Sequence, residues 1–310
     1  MIVCYGEPRV TIRKSELRNY PYVNVPRIKD VEALLDTQKA SDTYFSRGSG
    51  EATMALDKVE ATHRKWVSQM VDLSEFPYCY YVHGVTDAIH HWVLNKNTPW
   101  QYMEGEYEYA GMIGPLGTSV CDVPGQYMNK ETHRAGLHAK IDPNKPIYIS
   151  IPSSADGNIF YPKVDSWNNN PPVILDCTYV SSTSIKPIEV PKTTEQVFFS
   201  FSKGFSLVGQ RLGLVYTKEP HPTLHRLKEY ENWNYGGVKT MQLMMDNFAV
   251  DEMYNRYKDI QLEICNEYGF EPSDCFYLAT THDKYYTRRR RMRWNDSARI
   301  CLTPLFKDYI

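Results

Sequence analysis

The sequence predicts an α/β fold, with a large domain built on a mostly parallel seven-stranded sheet flanked by helices, and a smaller α+β domain. Apolar runs typical of buried strands alternate with segments whose apolar residues recur at helical spacing, which is the pattern of layered α/β proteins. Glycine and polar residues follow directly after several of these runs. Because open α/β sheets bind ligands at this position, the sequence also predicts a binding site at the carboxyl ends of the strands.

The length, charge and cysteine content of the chain narrow its possible functions. Its 310 residues suffice for one large and one smaller domain, and its net charge of -2 gives no sign of a nucleic-acid or membrane partner. No apolar run is long enough to span a membrane, and the N-terminus lacks a signal-peptide core. The seven cysteines are dispersed without C-x-x-C pairs, which predicts reduced thiols in the cytoplasm and neither a disulfide framework nor a metal site.

The first half of the chain begins with a weakly periodic segment and continues with alternating elements. Residues 1–50 are rich in Arg, Tyr and Pro and predict an arm that leads into the folded part. Apolar residues at helical spacing predict a helix over Ser49–Met70. The aromatic run Pro77–His83 predicts a buried strand, and the segment after its glycine turn predicts a helix through Trp92.

The second half contains further strands and then a helical region. Apolar runs predict strands at Pro146–Ile151, Pro172–Leu175, Gln196–Phe201 and Leu212–Tyr216. Helical spacing is strongest over Met241–Tyr268, and later strands are predicted at Cys275–Ala279 and Ala298–Leu302. We therefore expect residues 51–225 to form the large domain, and residues 1–50 and 226–310 to form an N-terminal arm and the small C-terminal domain.

One lysine segment dominates the functional prediction. Lys203 ends a predicted strand between small hydroxyl residues, and Arg211 lies eight positions further on between glycines. Burial or a nearby cation lowers the pKa of a lysine, and the neutral amine attacks aldehydes. Arg211 can supply that cation and hold a phosphate at two points, while Ser200 and Ser202 can donate to the same phosphate. A surface lysine on a hairpin is the alternative interpretation.

The pattern S-x-S-K, five residues, then G-x-R-x-G resembles the lysine segment of the PLP-dependent aminotransferases of fold type I, the aspartate-aminotransferase-like enzymes of class I/II. The resemblance implies pyridoxal 5'-phosphate (PLP) as cofactor. It also implies a Schiff base between PLP and Lys203, and a PLP phosphate held by Ser200, Ser202 and Arg211.

Two earlier segments resemble cofactor-binding parts of the same family. The sequence His-Gly-Val-Thr-Asp-Ala-Ile from His83 resembles the turn whose backbone binds the PLP phosphate, which implies Gly84, Val85 and Thr86 as phosphate ligands. Tyr107 falls in register with the aromatic residue that stacks on the cofactor ring. An ordinary strand-to-helix connection and a packing tyrosine are the alternatives.

Two segments at later strand ends continue the resemblance. The loop after Pro146–Ile151 resembles Asn-Pro-x-Asn-Pro-x-Gly, with Ser154 in place of the Asn that contacts the PLP 3-oxygen and Asn158 as another possible donor. The sequence Asp-Cys-Thr-Tyr resembles the family's Asp-x-x-Tyr, which implies Asp176 on the pyridine nitrogen and Tyr179 on the 3-oxygen. A helix-cap or turn aspartate is the alternative for Asp176.

Two arginine features lie near the C-terminus. The predicted strand Ala298–Leu302 resembles the strand whose arginine binds the substrate α-carboxylate, which implies Arg299 as a substrate-binding residue. A surface arginine on an edge strand is the alternative. The basic run Arg288–Arg293 is typical of a solvated face, with a phosphate or nucleic-acid contact as the alternative.

The motifs follow the family's order from about residue 77 to residue 302. The resemblance implies amino transfer between an amino acid and a 2-oxo acid, with Lys203, Asp176 and Tyr179 as catalytic residues. It also implies a homodimer with an active site at each interface. Decarboxylation, elimination, racemisation and carbon–carbon bond chemistry at the α-carbon use the same kind of site and remain alternatives, as does a non-catalytic PLP-binding protein.

Overall fold

The computed structural model describes the greater part of the chain. The described residues are 26, 28–39, 44–46, 48–96, 98–102, 106–107, 117–119, 142–159, 171–287 and 297–306. The predicted basic run at 288–293 and most of the predicted N-terminal arm lie outside the described residues.

A seven-stranded sheet forms the centre of the described structure. Its strands are β1 (Tyr78–Val82), β2 (Trp100–Tyr102), β3 (Gly117–Ser119), β4 (Ile147–Ser150), β5 (Val173–Asp176), β6 (Thr194–Ser200) and β7 (Gly213–Thr217). Their order across the sheet is β1-β7-β6-β5-β4-β2-β3. Strands β2 to β6 run parallel, whereas β7 is antiparallel to both its neighbours, β1 and β6. This confirms the predicted mostly parallel seven-stranded sheet.

Helices cover both faces of this sheet. Those described are α1 (Lys29–Leu35), α2 (Glu51–Val67), α3 (Val85–Lys96), α4 (Pro222–Glu229), α5 (Tyr235–Asn247), α6 (Glu252–Tyr268), α7 (Lys284–Thr287) and α8 (Thr303–Phe306). Because successive strand residues point to opposite faces, Phe198 packs with Trp92 of α3 and Leu224 of α4, whereas Phe199 packs in the core that contains Leu56 of α2 and Met241 of α5. The sheet is therefore buried on both sides, as its continuous apolar strands predicted.

A second, three-stranded antiparallel sheet forms the smaller α+β part. Its strands are β8 (Glu271–Pro272), β9 (Leu278–Thr281) and β10 (Ala298–Cys301), in the order β10-β9-β8. Buried Gln261 of α6 donates from Nε2 to the carbonyl oxygens of Ser273, Cys275 and Leu278 at 2.7–3.0 Å, so α6 fixes the connection between β8 and β9. The domain boundaries at residues 51 and 225 remain a prediction.

The structure corrects two predicted elements in the C-terminal part. The helical stretch Met241–Tyr268 is two helices, because Phe248 adopts extended backbone angles and buries its ring beside Val250. The strand predicted at Cys275–Ala279 begins only at Leu278, because a turn in which the Leu278 N–H donates to the Cys275 carbonyl at 3.0 Å precedes it.

Within the described segments, no helix combines the length and apolar character needed to cross a membrane. The same segments contain no group of three or more His, Cys, Asp or Glu side chains placed to hold a metal ion. The five cysteines in the described part of the chain are all buried: Cys79, Cys177, Cys265, Cys275 and Cys301.

Candidate active site

The candidate site lies at the edge of the sheet where β1, β4, β5 and β6 all end. Ser150, the last residue of β4, pairs with Asp176, the last residue of β5. Ser200, the last residue of β6, pairs with Gly213, and Gly213 also pairs with Val82 at the end of β1. Residues that follow these strands therefore meet at one edge, which brings together segments more than a hundred positions apart in the sequence.

Lys203 lies in the turn that follows β6, and its ammonium group is largely desolvated. Burial, together with the positive charges of Arg299 and Arg211, lowers the pKa of Lys203 from its usual 10.5 to about 8. The next residue, Gly204, fits tightly: a Cβ atom placed on it would lie 2.1 Å from the Ser181 hydroxyl oxygen and 2.6 Å from the Ser181 carbonyl oxygen. The turn can therefore hold the lysine amine at a fixed place in a form that readily loses its proton.

An anion-binding cradle lies beside this turn. Gly84 has a positive φ of 78° after β1, and a Cβ atom there would lie 3.0 Å from a terminal nitrogen of Arg211. Helix α3 begins at Val85, so the N–H groups of Val85 and Thr86 belong to its first turn, where helices favour anions. The arrangement of a glycine turn, a helix N-terminus and a guanidinium can hold a phosphate.

The serines of the lysine segment differ in their hydrogen bonds. The Ser200 hydroxyl accepts from the Ser202 N–H at 3.1 Å. The buried Ser202 hydroxyl has no hydrogen-bond partner among the described residues. Because a buried hydroxyl without a partner is unfavourable, Ser202 is suited to donate to a bound group.

Asp176 is a buried carboxylate at the end of β5. Burial raises its pKa to about 6, although it accepts hydrogen bonds from the Tyr148 hydroxyl and, at 2.8 Å, from the Thr178 N–H, which oppose the rise. Tyr179, three residues after Asp176, is also buried, and burial raises the pKa of its phenol. Asp176 is thus an oriented acceptor that gains from any cationic or N–H partner brought to it.

A second group of polar residues lies at the end of β4. The Ser154 hydroxyl donates to Oε2 of buried Glu106 at 3.0 Å, and the Ser150 hydroxyl donates to the same oxygen. Arg299, on β10 and only 9% exposed, donates from Nη1 to the Ser154 carbonyl. The smaller sheet therefore delivers a buried guanidinium to the edge of the larger one.

Tyr107 lies on the open side of the site. It is 39% exposed, and its hydroxyl lies 3.1 Å from Oγ1 of Thr86. This contact places Tyr107 beside the first turn of α3 and so beside the anion-binding cradle. The Asn158 side chain makes a contact outside this group of residues. Its amide oxygen accepts a hydrogen bond from the Asp274 N–H at 3.1 Å.

No protein-family profile matches the chain, and neither does any curated protein. Solved structures do. An aminotransferase from Staphylococcus aureus superposes with a TM-score of 0.61 at 13% identity, covering 94% of this chain and 93% of that one.

The chain has the fold of an aminotransferase. Histidinol-phosphate aminotransferase from Sinorhizobium meliloti, in complex with pyridoxal-5'-phosphate, superposes with a TM-score of 0.62 at 13% identity, covering 92% of this chain and 89% of that one. A PLP-bound C–S lyase from Staphylococcus hominis gives a TM-score of 0.62 at 11% identity, covering 96% of this chain and 89% of that one. The resemblance stated from the sequence motifs is therefore confirmed at the level of the fold.

Apart from Asn158, the structure brings the predicted cofactor- and substrate-binding residues to one region, and their roles remain predictions. It also adds residues that sequence reasoning missed. Tyr148, Ser150 and Glu106 contact the predicted site residues through side chains. Tyr148 and Ser150 lie on a predicted strand, where nothing in the sequence distinguishes them from ordinary strand residues. Glu106 adjoins Tyr107 in an acidic, aromatic stretch that matches no motif.

Proposed function

We propose that this protein is a PLP-dependent aminotransferase that moves an amino group between an amino acid and a 2-oxo acid. The observation that carries the proposal is the placement of Lys203, Asp176 and Arg211 at one edge of the sheet, with the lysine amine desolvated. The aminotransferase fold and the PLP reported in solved neighbours support it.

The residues of the site fit PLP on two independent observations. The buried Ser202 hydroxyl has no partner among the described residues, which suits it to a phosphate oxygen. Gly84 leaves open the space beside the Arg211 guanidinium that a Cβ atom would narrow. We therefore propose that Ser200, Ser202, Arg211 and the α3 N-terminus hold the phosphate group.

The remaining residues have roles that follow from their chemistry. When bound, PLP supplies an electron sink for the negative charge that develops at the substrate α-carbon. The Asp176 carboxylate would accept a hydrogen bond from the pyridine N–H, and its burial would make this a strong contact. Ser154 and Tyr179 would contact the phenolic oxygen of the cofactor, and Tyr107 would cover the ring from the open side.

Lys203 and Arg299 act on the substrate itself. Nζ of Lys203, with a pKa near 8, can take a proton from the α-carbon and return it, because a base works best when its pKa lies near the working pH. Arg299 binds the substrate α-carboxylate through the guanidinium donors that the Ser154 carbonyl leaves available.

The test begins with cofactor binding. Purified protein is incubated with PLP, reduced with borohydride and digested, and the peptides are analysed by mass spectrometry. We expect a pyridoxyl group on the peptide that contains Lys203, and none in Lys203→Ala. Exposed Lys186 is the control residue, because Lys186→Ala should leave the labelling of Lys203 unchanged. Wild-type protein that takes up no PLP would contradict the proposal.

A second candidate function is elimination at the β-carbon. The superposition on a PLP-bound C–S lyase, as good as that on the aminotransferases, favours it as the alternative. The products distinguish the two reactions. An aminotransferase converts 2-oxoglutarate to glutamate in the presence of an amino donor. A C–S lyase releases a thiol, pyruvate and ammonia from a sulfur-substituted amino acid without an added 2-oxo acid as amino acceptor.

A further inference from the structure

A buried carboxylate lies beside the site and has no part in the mechanism proposed above. Glu106 is 4% exposed, and its Oε2 accepts from the hydroxyls of both Ser150 and Ser154. It lies on the segment that follows β2, whereas the two serines lie at the end of β4. Carboxylates are rarely buried without specific hydrogen bonds, because losing their hydration is costly. The contacts of Glu106 therefore join two segments at the edge of the sheet.

The same contacts fix Ser154 at three points. Its N–H donates to the Ser150 hydroxyl at 2.8 Å, its hydroxyl donates to Glu106 at 3.0 Å, and its carbonyl accepts from Arg299. Two of these three contacts depend on the Glu106 carboxylate, one directly and one through Ser150. Glu106 thus helps to hold the Ser154 carbonyl in the position where it accepts from the Arg299 guanidinium.

We infer that Glu106 is a positioning residue for substrate recognition: by holding Ser154, it orients Arg299 toward the substrate α-carboxylate. The inference rests on the proposed function, because it concerns the residue that orients the proposed carboxylate-binding arginine. Glu106 need not touch the substrate for this role, since its effect passes through Ser154.

Glu106 also places a negative charge beside other ionisable groups. Its charge raises the pKa of Asp176 on β5 and of Tyr148 on β4, and the neighbouring Tyr107 acts on Tyr148 in the same direction. Arg299 on β10 is the cation that contacts the same turn. Replacing Glu106 by Gln therefore removes a charge that raises neighbouring pKa values, while an amide oxygen can still accept from both serines.

The first experiment separates positioning from charge. Single-turnover reactions compare L-phenylalanine with phenethylamine, L-histidine with histamine, and L-lysine with cadaverine, so that each pair differs only in the carboxylate. We expect Glu106→Ala to lower kcat/KM for the amino acids at least tenfold more than for the amines. Glu106→Gln should keep the wild-type ratio within about threefold. Exposed Glu189→Gln is the control for removal of a carboxylate charge.

The second experiment needs no turnover. The absorbance of PLP bound to each variant is titrated with pH. Because a removed negative charge destabilises nearby protonated groups, Glu106→Gln should shift the titration to lower pH by about one unit, whereas Glu189→Gln should not shift it. A merely structural role for Glu106 would leave this titration unchanged.

Each outcome decides the inference. If wild-type protein yields no PLP adduct on Lys203, the proposed function fails and the inference is overturned with it. If the adduct forms but Glu106→Ala keeps the wild-type preference for amino acids, the inference alone is overturned. If Glu106→Ala does not fold, the experiment uses Ser154→Ala instead, because that variant lacks the hydroxyl that donates a hydrogen bond to Glu106. An unchanged preference in Ser154→Ala would then overturn the inference.

Discussion

Lys203 shows at the level of one residue how surroundings create reactivity. An exposed lysine with a pKa near 10.5 is almost fully protonated at neutral pH, whereas burial and two nearby arginines lower the pKa of Lys203 to about 8. Since only the neutral amine attacks an aldehyde, the pKa decides how much of the protein can react.

This pKa gives a prediction for the capture of PLP. The rate constant of PLP uptake by cofactor-free protein should rise as pH increases to about 8 and then level off, because the neutral fraction of Lys203 follows that pKa. Arg299→Met should move the rise to higher pH, since the positive charge of Arg299 lowers the pKa of Lys203. Stopped-flow absorbance measures the rate. Exposed Arg226→Met is the matched control, and an equal shift in that variant would contradict the assignment.

Asp176 depends on a partner that the sequence did not indicate. The Tyr148 hydroxyl donates to its Oδ2 and lowers the pKa of the carboxyl. Tyr148→Phe should therefore raise the pKa of Asp176 above about 6 and move the acidic limb of the kcat/KM profile to higher pH. Because only the ionised carboxylate holds the pyridine N–H, activity is lost as pH falls through the raised pKa. Tyr216→Phe, which removes a buried hydroxyl bonded to His63, is the control.

The proposed contact of Arg299 with the substrate α-carboxylate predicts which substrates the enzyme prefers. Removing one partner of a buried charge-assisted pair costs about 2–5 kcal/mol. We expect Arg299→Ala to lower kcat/KM strongly for L-phenylalanine and much less for phenethylamine, which lacks the carboxylate. Steady-state or single-turnover kinetics on both compounds provides the comparison, and equal losses would show that Arg299 is structural.

At the scale of elements, the connection after β6 is fixed by close backbone packing. A Cβ atom on Gly204 would lie 2.6 Å from the Ser181 carbonyl oxygen, so the chain there must move to accept any side chain. Ser181 belongs to a 3₁₀ turn, Val180–Ser182, that follows β5. This turn therefore limits how closely the turn containing Lys203 and Gly204 can pack against the end of β5.

Two glycines in the same connection provide a matched comparison. Gly204→Ala should lower the free energy of unfolding by about 1–3 kcal/mol, as overpacking of a buried site does. Gly209→Ala should change it little, because no atom lies within 4 Å of its Cβ position. Denaturant unfolding of both variants measures the difference. Equal stabilities would mean that the contact between Gly204 and Ser181 is looser than the structure shows.

At the scale of the whole molecule, three exposed apolar side chains lie on neighbouring segments of the surface. Tyr44, Met54 and Tyr230 are 65–77% exposed. Their segments meet because Glu231 accepts from the Gly48 N–H at 2.8 Å and from the Thr53 hydroxyl at 3.2 Å. We propose that this group lies in the interface of the homodimer that the sequence resemblance implies.

Sedimentation tests the dimer. Wild-type protein should sediment as a dimer, and Met54→Glu should shift it toward monomer, because a charge must then be buried in an apolar contact. Leu94→Glu is the control, since Leu94 is 79% exposed, more than Met54, but lies on α3. A monomeric wild type that binds PLP normally would contradict the dimer, and an unchanged Met54→Glu would place the interface elsewhere.

Local patterns were enough to predict most elements of the fold. Apolar runs predicted strands β1, β4, β5, β6, β7 and β10 to within a few residues, helical spacing predicted α2, and the glycine turn after β1 predicted α3. The break between α5 and α6 could not be predicted in the same way. The break occurs because Phe248 and Val250 are buried in the core, and their burial depends on tertiary packing.

The sequence by itself determined the fold class and the main candidates for the site, because strand ends, glycine turns and spaced charges are local features. Asp176 ends a strand, Lys203 and Gly84 follow strands, and Arg211 precedes the antiparallel strand β7, so all four lie at the same edge of the sheet. Only the tertiary structure decided which side chains touch them. Tyr148 and Glu106 became visible when the strand order placed β4 beside β5 and β2. Hydrogen bonds across a sheet depend on that order and register, which no short stretch of sequence contains.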